Sequence, residues 1–190
     1  PNTKGWYSTD QIRIVLSYSD NKGVKSLYGK VDDGGYEEIP DVITEGGTTV
    51  AKDYACVEGT HTYTFKAVDA AGNETVTDAL TVKLDTIKPV MGDAAFNEGY
   101  KNLWNWLIRK DSLEITVPVE EAGSGIESVD YELIPEDGST TAGRTSVKKA
   151  SGENSAGYTA VIYVNPDFKG KIKITAKDHA GNVSDTKMIG

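Results

Sequence analysis

Apolar and polar residues alternate along most of this chain. Ile12, Ile14 and Leu16 fall on one side of an extended segment, with Arg13 and Ser17 on the other. Leu113, Ile115 and Val117 do the same around Glu114 and Thr116. Tyr63, Phe65 and Ala67 alternate with Thr64 and Lys66, and Ile172, Ile174 and Ala176 with Lys173 and Thr175. A period of two puts alternate side chains on one face, so each run predicts a strand with one buried side. Thr75, Thr77, Leu80, Val82 and Leu84 predict a continuous final strand after the third run. Turn residues part these segments at short intervals, the pattern of a β-sandwich.

The pattern also repeats. Phe65-Lys66-Ala67-Val68-Asp69-Ala70-Ala71-Gly72-Asn73 recurs as Ile174-Thr175-Ala176-Lys177-Asp178-His179-Ala180-Gly181-Asn182. Gly23-Val24-Lys25-Ser26-Leu27 corresponds to Gly125-Ile126-Glu127-Ser128-Val129, and Trp6 to Trp106. The three matches keep their order, which is the mark of two tandem copies. The copies meet at Leu84-Asp85-Thr86-Ile87-Lys88-Pro89. Pro89 cannot donate to a ladder and biases Lys88 to an extended conformation. The expected domains are therefore 1–86 and 87–190. Tyr100, Leu103, Trp104, Leu107 and Ile108 have helical spacing instead. That segment aligns with the entry of the first copy, so the expectation is an irregular entry with a helical turn.

The Asp-x-Ala-Gly-Asn segments have a mechanical reading. Asp at the first position of a type I turn accepts backbone N–H groups, and Gly at the fourth takes the left-handed conformation that closes the hairpin. Asp69, Gly72 and Asn73, and likewise Asp178, Gly181 and Asn182, are expected to be structural turn residues. Metal ligation by the two Asp is the alternative.

Composition narrows the functions. The 20 basic and 29 acidic residues give a net charge of −9, shared as −6 over residues 1–87 and −3 over 88–190. An acidic chain without a basic stripe is not expected to bind nucleic acid. No apolar run approaches the roughly 18 residues of a membrane span, so no membrane insertion is expected of this segment. Cys56 is the one cysteine, which excludes an internal disulfide framework and a Cys-based zinc site. A start at Pro1 without Met fits a piece of a longer protein, so a missing targeting signal says little. Neither His61 nor His179 sits in a catalytic motif, and no enzyme is expected.

Gly5-Trp6-Tyr7-Ser8-Thr9-Asp10, Gly23-Val24 and the run Gly59–Asn73 resemble bacterial immunoglobulin-like repeats. The strand of Tyr63, Phe65 and Ala67 is similar to the penultimate strand of fibronectin type III domains, in which a Tyr pins a corner. In the second copy Ile172 stands where that Tyr is. The resemblance implies an all-β chain of two tandem immunoglobulin-like β-sandwiches. It also implies a stalk, spacer or adhesion module at a bacterial surface or in a secreted protein. The partners it implies are neighbouring domains of the same polypeptide, with a glycan or host protein as further options.

Two candidate sites follow. In such a sandwich the loops of Asp20 and Asp69 share one end of the first copy, and those of Glu120, Glu121 and Asp178 the corresponding end of the second. Asp85 in the connection is expected to join them. Calcium takes six to eight oxygens, which this set supplies, against the simpler reading of turn capping and a solvated acidic edge. No other cofactor is expected. Tyr100, Trp104 and Trp106 crowd one short segment where flat rings can stack on a sugar, against the simpler reading of corner packing.

Overall fold

The computed structural model describes residues 1–9, 11–40, 48–96, 113–145, 147–149, 157–165 and 168–190. Every regular element among them is a strand. The chain divides into two compact units, Pro1–Thr86 and Ile87–Gly190. The segment expected to form an irregular entry, with Tyr100, Trp104 and Trp106, lies outside the described residues.

The first unit holds β1 (Trp6–Tyr7), β2 (Gln11–Tyr18), β3 (Val24–Val31), β4 (Glu37–Ile39), β5 (Thr48–Ala55), β6 (Gly59–Asp69), β7 (Glu74–Val76) and β8 (Leu80–Leu84). One sheet runs β1-β8-β6-β3-β4, with β7 also on β6; the other is the pair β2-β5. All described pairs are antiparallel except β1 on β8. Alternation explains the core. Ile12 and Ile14 of β2 meet Val24, Leu27, Tyr63, Phe65, Val82 and Leu84 of the larger sheet. Each such side chain contributes on the order of 1.5–3 kcal/mol by leaving water.

The second unit holds β9 (Val90–Met91), β10 (Ala95–Phe96), β11 (Leu113–Glu120), β12 (Ile126–Pro135), β13 (Thr141–Thr145), β14 (Val147–Lys149), β15 (Gly157–Val164), β16 (Gly170–Asp178) and β17 (Lys187–Ile189). Its sheets are β10-β11-β15-β14, with β9 also on β11, and β13-β12-β16-β17. Ile115, Val117, Val119, Ala160, Ile162 and Val164 face Val129, Ile172, Ile174 and Ala176 across the interior. Each unit is thus two sheets closed on a core of its own.

The shared Gly-apolar-x-Ser-apolar segment has a structural cause. β3 and β6 shift register between Val24 and Ser26, and β12 and β16 between Ile126 and Ser128. A bulge therefore sits at Lys25 in one copy and Glu127 in the other. It follows Gly23 and Gly125, whose φ angles are 100° and 82°. A Cβ on Gly125 would stand 2.9 Å from Tyr158 Oη. Gly125→Ala is expected to destabilise the second unit by about 1–3 kcal/mol, from left-handed strain. Gly23→Ala, at the corresponding left-handed position, serves as the comparison in denaturant titrations.

The expected continuous strand from Thr75 to Leu84 is broken into β7 and β8. Thr77 is the reason. Its N–H donates to Phe65 O at 2.9 Å, while its hydroxyl accepts the Phe65 N–H at 3.1 Å. A side chain takes the place of the next backbone carbonyl, and the chain leaves the ladder at Asp78 and Ala79. Ser184 does the same in the second unit, exchanging N–H and hydroxyl bonds with Ala176.

Candidate functional site

The two Asp-x-Ala-Gly-Asn turns share the bonds from the closing Asn and differ in the other N–H donor. Asp69 Oδ1 accepts the N–H groups of Ala71 and Asn73, each at 2.8 Å, and Asn73 Nδ2 donates to Oδ2 at 2.7 Å. Asp178 Oδ1 accepts the N–H groups of Gly181 at 2.6 Å and Asn182 at 2.8 Å, and Asn182 Nδ2 donates to Oδ2 at 2.7 Å. Gly72 and Gly181 are left-handed, with φ of 91° and 107°. The Asn73 side chain first, then its backbone N–H, holds the Asp69 carboxyl below the ordinary range.

Surroundings separate the turns. Asp69 is part-exposed, whereas Asp178 is fully buried. In the second unit the connection after β11 lies against the turn: His179 N–H donates to Gly125 O, and Ala180 N–H to Ser124 Oγ. His179 is half-buried there.

The acidic candidates are not equivalent. Asp20 is exposed and accepts the Lys22 N–H at 2.6 Å, capping its own turn. Asp20 and Asp69 line one groove of the first unit. Asp85, directly after β8, is fully buried, and its N–H donates to Tyr7 O. Glu120 is exposed at the end of β11, and Glu121, one step on, faces inward and is buried. Glu121 Oε1 accepts the Gly123 N–H at 2.6 Å. Within the second unit, Glu121 and Asp178 bring carboxylate oxygens within 4.8 Å of each other. Two buried carboxylates that close repel unless a proton or a cation separates them.

Sequence reading passed over one pair. His61 Nδ1 lies 2.6 Å from Asp32 Oδ2, and Nε2 lies 3.1 Å from Glu58 O. Both ring nitrogens face acceptors, so the doubly protonated imidazolium satisfies both. Asp32 also accepts the Thr62 N–H and stands in the left-handed region at φ 50°. Its bond with His61 holds the Asp32 carboxyl below its ordinary range, and the same bond raises His61. The His61 contribution is present below pH 6.5 and lost as pH rises through its raised folded value. The Asp32 contribution is present above pH 3.8 and lost as pH falls through its depressed folded value. The pair therefore supports the first unit best between those limits. In an NMR titration, His61 is expected to have a midpoint above 6.5 that Asp32→Asn moves back down. A midpoint at or below 6.5 in the parent chain would exclude the charged pair. The partners lie 29 residues apart, beyond any local motif.

Cys56 is half-buried beside the Tyr63 hydroxyl. On the outer face of the second unit, Arg144 holds Asp130 in an ion pair over β12 and β13. Arg144 keeps the Asp130 carboxyl below its ordinary range.

The chain is an all-β protein of paired sheets. No family model and no curated protein matches it. Among solved structures it is similar to the fibronectin(III)-like modules of Clostridium thermocellum CbhA. That similarity has 16% sequence identity, spans 96% of this chain and 85% of that one, and has a TM-score of 0.35.

Proposed function

We propose that this chain is a non-catalytic structural segment, a spacer or adhesion module, of a bacterial surface or secreted multidomain protein. The observation that carries the reading is the use made of its acidic turn residues. Asp20, Asp69, Asp137 and Asp178 each spend carboxylate oxygens on N–H groups of their own turns. A carboxylate committed to holding a loop is poorly placed to move a proton on a substrate. The partners of such a segment are the neighbouring domains of its own polypeptide.

The test is a titration of the full chain with soluble polysaccharides and mucin glycans, followed by tryptophan fluorescence. A flat response is expected. A saturable change that Trp104→Ala abolishes would overturn the spacer reading. It would favour a glycan-binding module built on Tyr100, Trp104 and Trp106.

A second reading concerns calcium, and the buried Glu121–Asp178 pair favours it. One divalent ion would relieve their repulsion, with carbonyl oxygens completing its shell. Free calcium at about ten times its Kd would add about 1.4 kcal/mol to the second unit. Its unfolding temperature is expected to rise in calcium relative to a chelator, and Glu121→Gln to remove that rise. Equal melting temperatures in calcium and chelator would dismiss the ion. The same titration on Asp85→Asn tests the sequence expectation that Asp85 shares it.

A further inference from the structure

The two units treat the strand before their first long hairpin differently. In the second, β9 and β10 lie antiparallel along β11, pairing Met91 with Val119 and Phe96 with Ile115. Both edges of β11 are covered, one by these short strands and the other by β15. In the first unit the corresponding strand is β2, and β5 covers one of its edges. The residues ahead of β2 form β1, which pairs in parallel with β8 in the other sheet. No described strand lies along the other edge of β2, and none lies along the outer edge of β7.

Between those edges the first unit opens a groove of about 490 Å³. Leu16, Tyr18, Phe65, Thr75 and Thr77 line it. Leu16 and Tyr18 are only partly buried, although both belong to the inward row of β2. β2 also carries few of the devices that protect an edge. Its sequence, Gln-Ile-Arg-Ile-Val-Leu-Ser-Tyr, holds one charge and no proline, and Val15 is 54% exposed. Edge strands of this length and propensity are ordinarily blunted by charge, proline or a bulge.

We propose that the groove between β2 and β7 takes an extended peptide strand with apolar residues at alternate positions, added antiparallel to β2. β9 and β10 show the chemistry of the occupant, since they do this for β11 from within their own unit. Backbone bonds to β2 would supply affinity, and the inward residues would fill the space beside Leu16 and Phe65. The inference is independent of the spacer reading, because a spacer with or without a strand acceptor remains a spacer.

The test uses the full chain, isotope-labelled for NMR. The probe is the peptide Lys-Thr-Val-Thr-Val-Thr-Val-Lys with blocked ends. Its control has the same composition, with the valines adjacent. The alternating peptide is expected to give saturable shifts at β2, β7, Tyr18 and Phe65. At saturation, alternate β2 amides are expected to exchange at least about tenfold more slowly. The control peptide is expected to leave these signals in place. Thr75→Arg puts a long charged side chain into the groove from an exposed position and is expected to abolish binding. If that variant fails to fold, the control peptide still decides. Shifts confined to the second unit, equal binding of both peptides, or no saturable shift would each overturn the proposal. So would protection of β2 that rises with protein concentration alone, which would mark a second copy as the occupant.

Discussion

Asp178→Ala is expected to destabilise the second unit by roughly 3–5 kcal/mol, a large share of a typical domain's 5–15 kcal/mol. Three bonds go at once, those from the N–H groups of Gly181 and Asn182 and that from Asn182 Nδ2, which keeps its bond to Ile87 O. Asp178 itself is fully buried, while Gly181 at the tip of the turn is exposed, so water replaces the carboxylate only in part. Each donor left without a partner in such a place costs about 1–3 kcal/mol. Asp178→Asn should cost less, because an amide oxygen keeps two of the three bonds. Asp69→Ala removes as many bonds from a part-exposed turn, where solvent takes over, and its loss should be clearly smaller. Denaturant titration of all three variants in chelator, with amide signals assigned to each unit, measures the differences. Signals of Pro1–Thr86 should hold in Asp178→Ala while those of the second unit melt. Equal losses for Asp69→Ala and Asp178→Ala would show that burial does not set the cost.

Tyr63→Ala should have a comparable effect in the first unit, about 3–5 kcal/mol. Tyr63 is 1% exposed and is among the largest fully buried side chains. Its ring fills the core between β2 and β6, where Ile12, Ile14 and Leu84 also pack. Removing it leaves a cavity that rigid sheets on either side close poorly. Tyr63→Phe keeps the ring and loses only the hydroxyl contact with Cys56, at about 0.5–1.5 kcal/mol. Burial pushes the Tyr63 hydroxyl above its ordinary value of 10.0, so it should ionise late in an alkaline titration. A Tyr63→Ala chain whose first unit unfolds at the parent denaturant midpoint would exclude this role.

The strands were legible because a half-buried strand writes a period of two into its own residues. Ile172, Ile174 and Ala176 are buried on one face, with Lys171, Lys173 and Lys177 exposed on the other. The break between β7 and β8 was not legible. Thr75, Thr77, Leu80, Val82 and Leu84 read as one strand, since nothing local says that the Thr77 hydroxyl will substitute for a carbonyl opposite Phe65. The pairing of His61 with Asp32 was hidden for the same reason.

By itself the sequence determined what lies within one strand or one turn. That covers which residues face inward, where a left-handed glycine is needed, and which carboxylate caps its own loop. These follow from backbone geometry over a few residues. The tertiary structure decided what depends on distant neighbours. Asp69 and Asp178 sit in matching motifs, yet only Asp178 is enclosed, and only its turn is bonded to the connection ahead of the partner strand among the described residues. Glu120 and Glu121 are adjacent in sequence and opposite in environment. β2 and β11 carry the same alternation, yet among the described residues strands lie along both edges of β11 and along one edge of β2, beside a groove. Burial and strand partnership are properties of the assembled sheets, and no short window of sequence contains them.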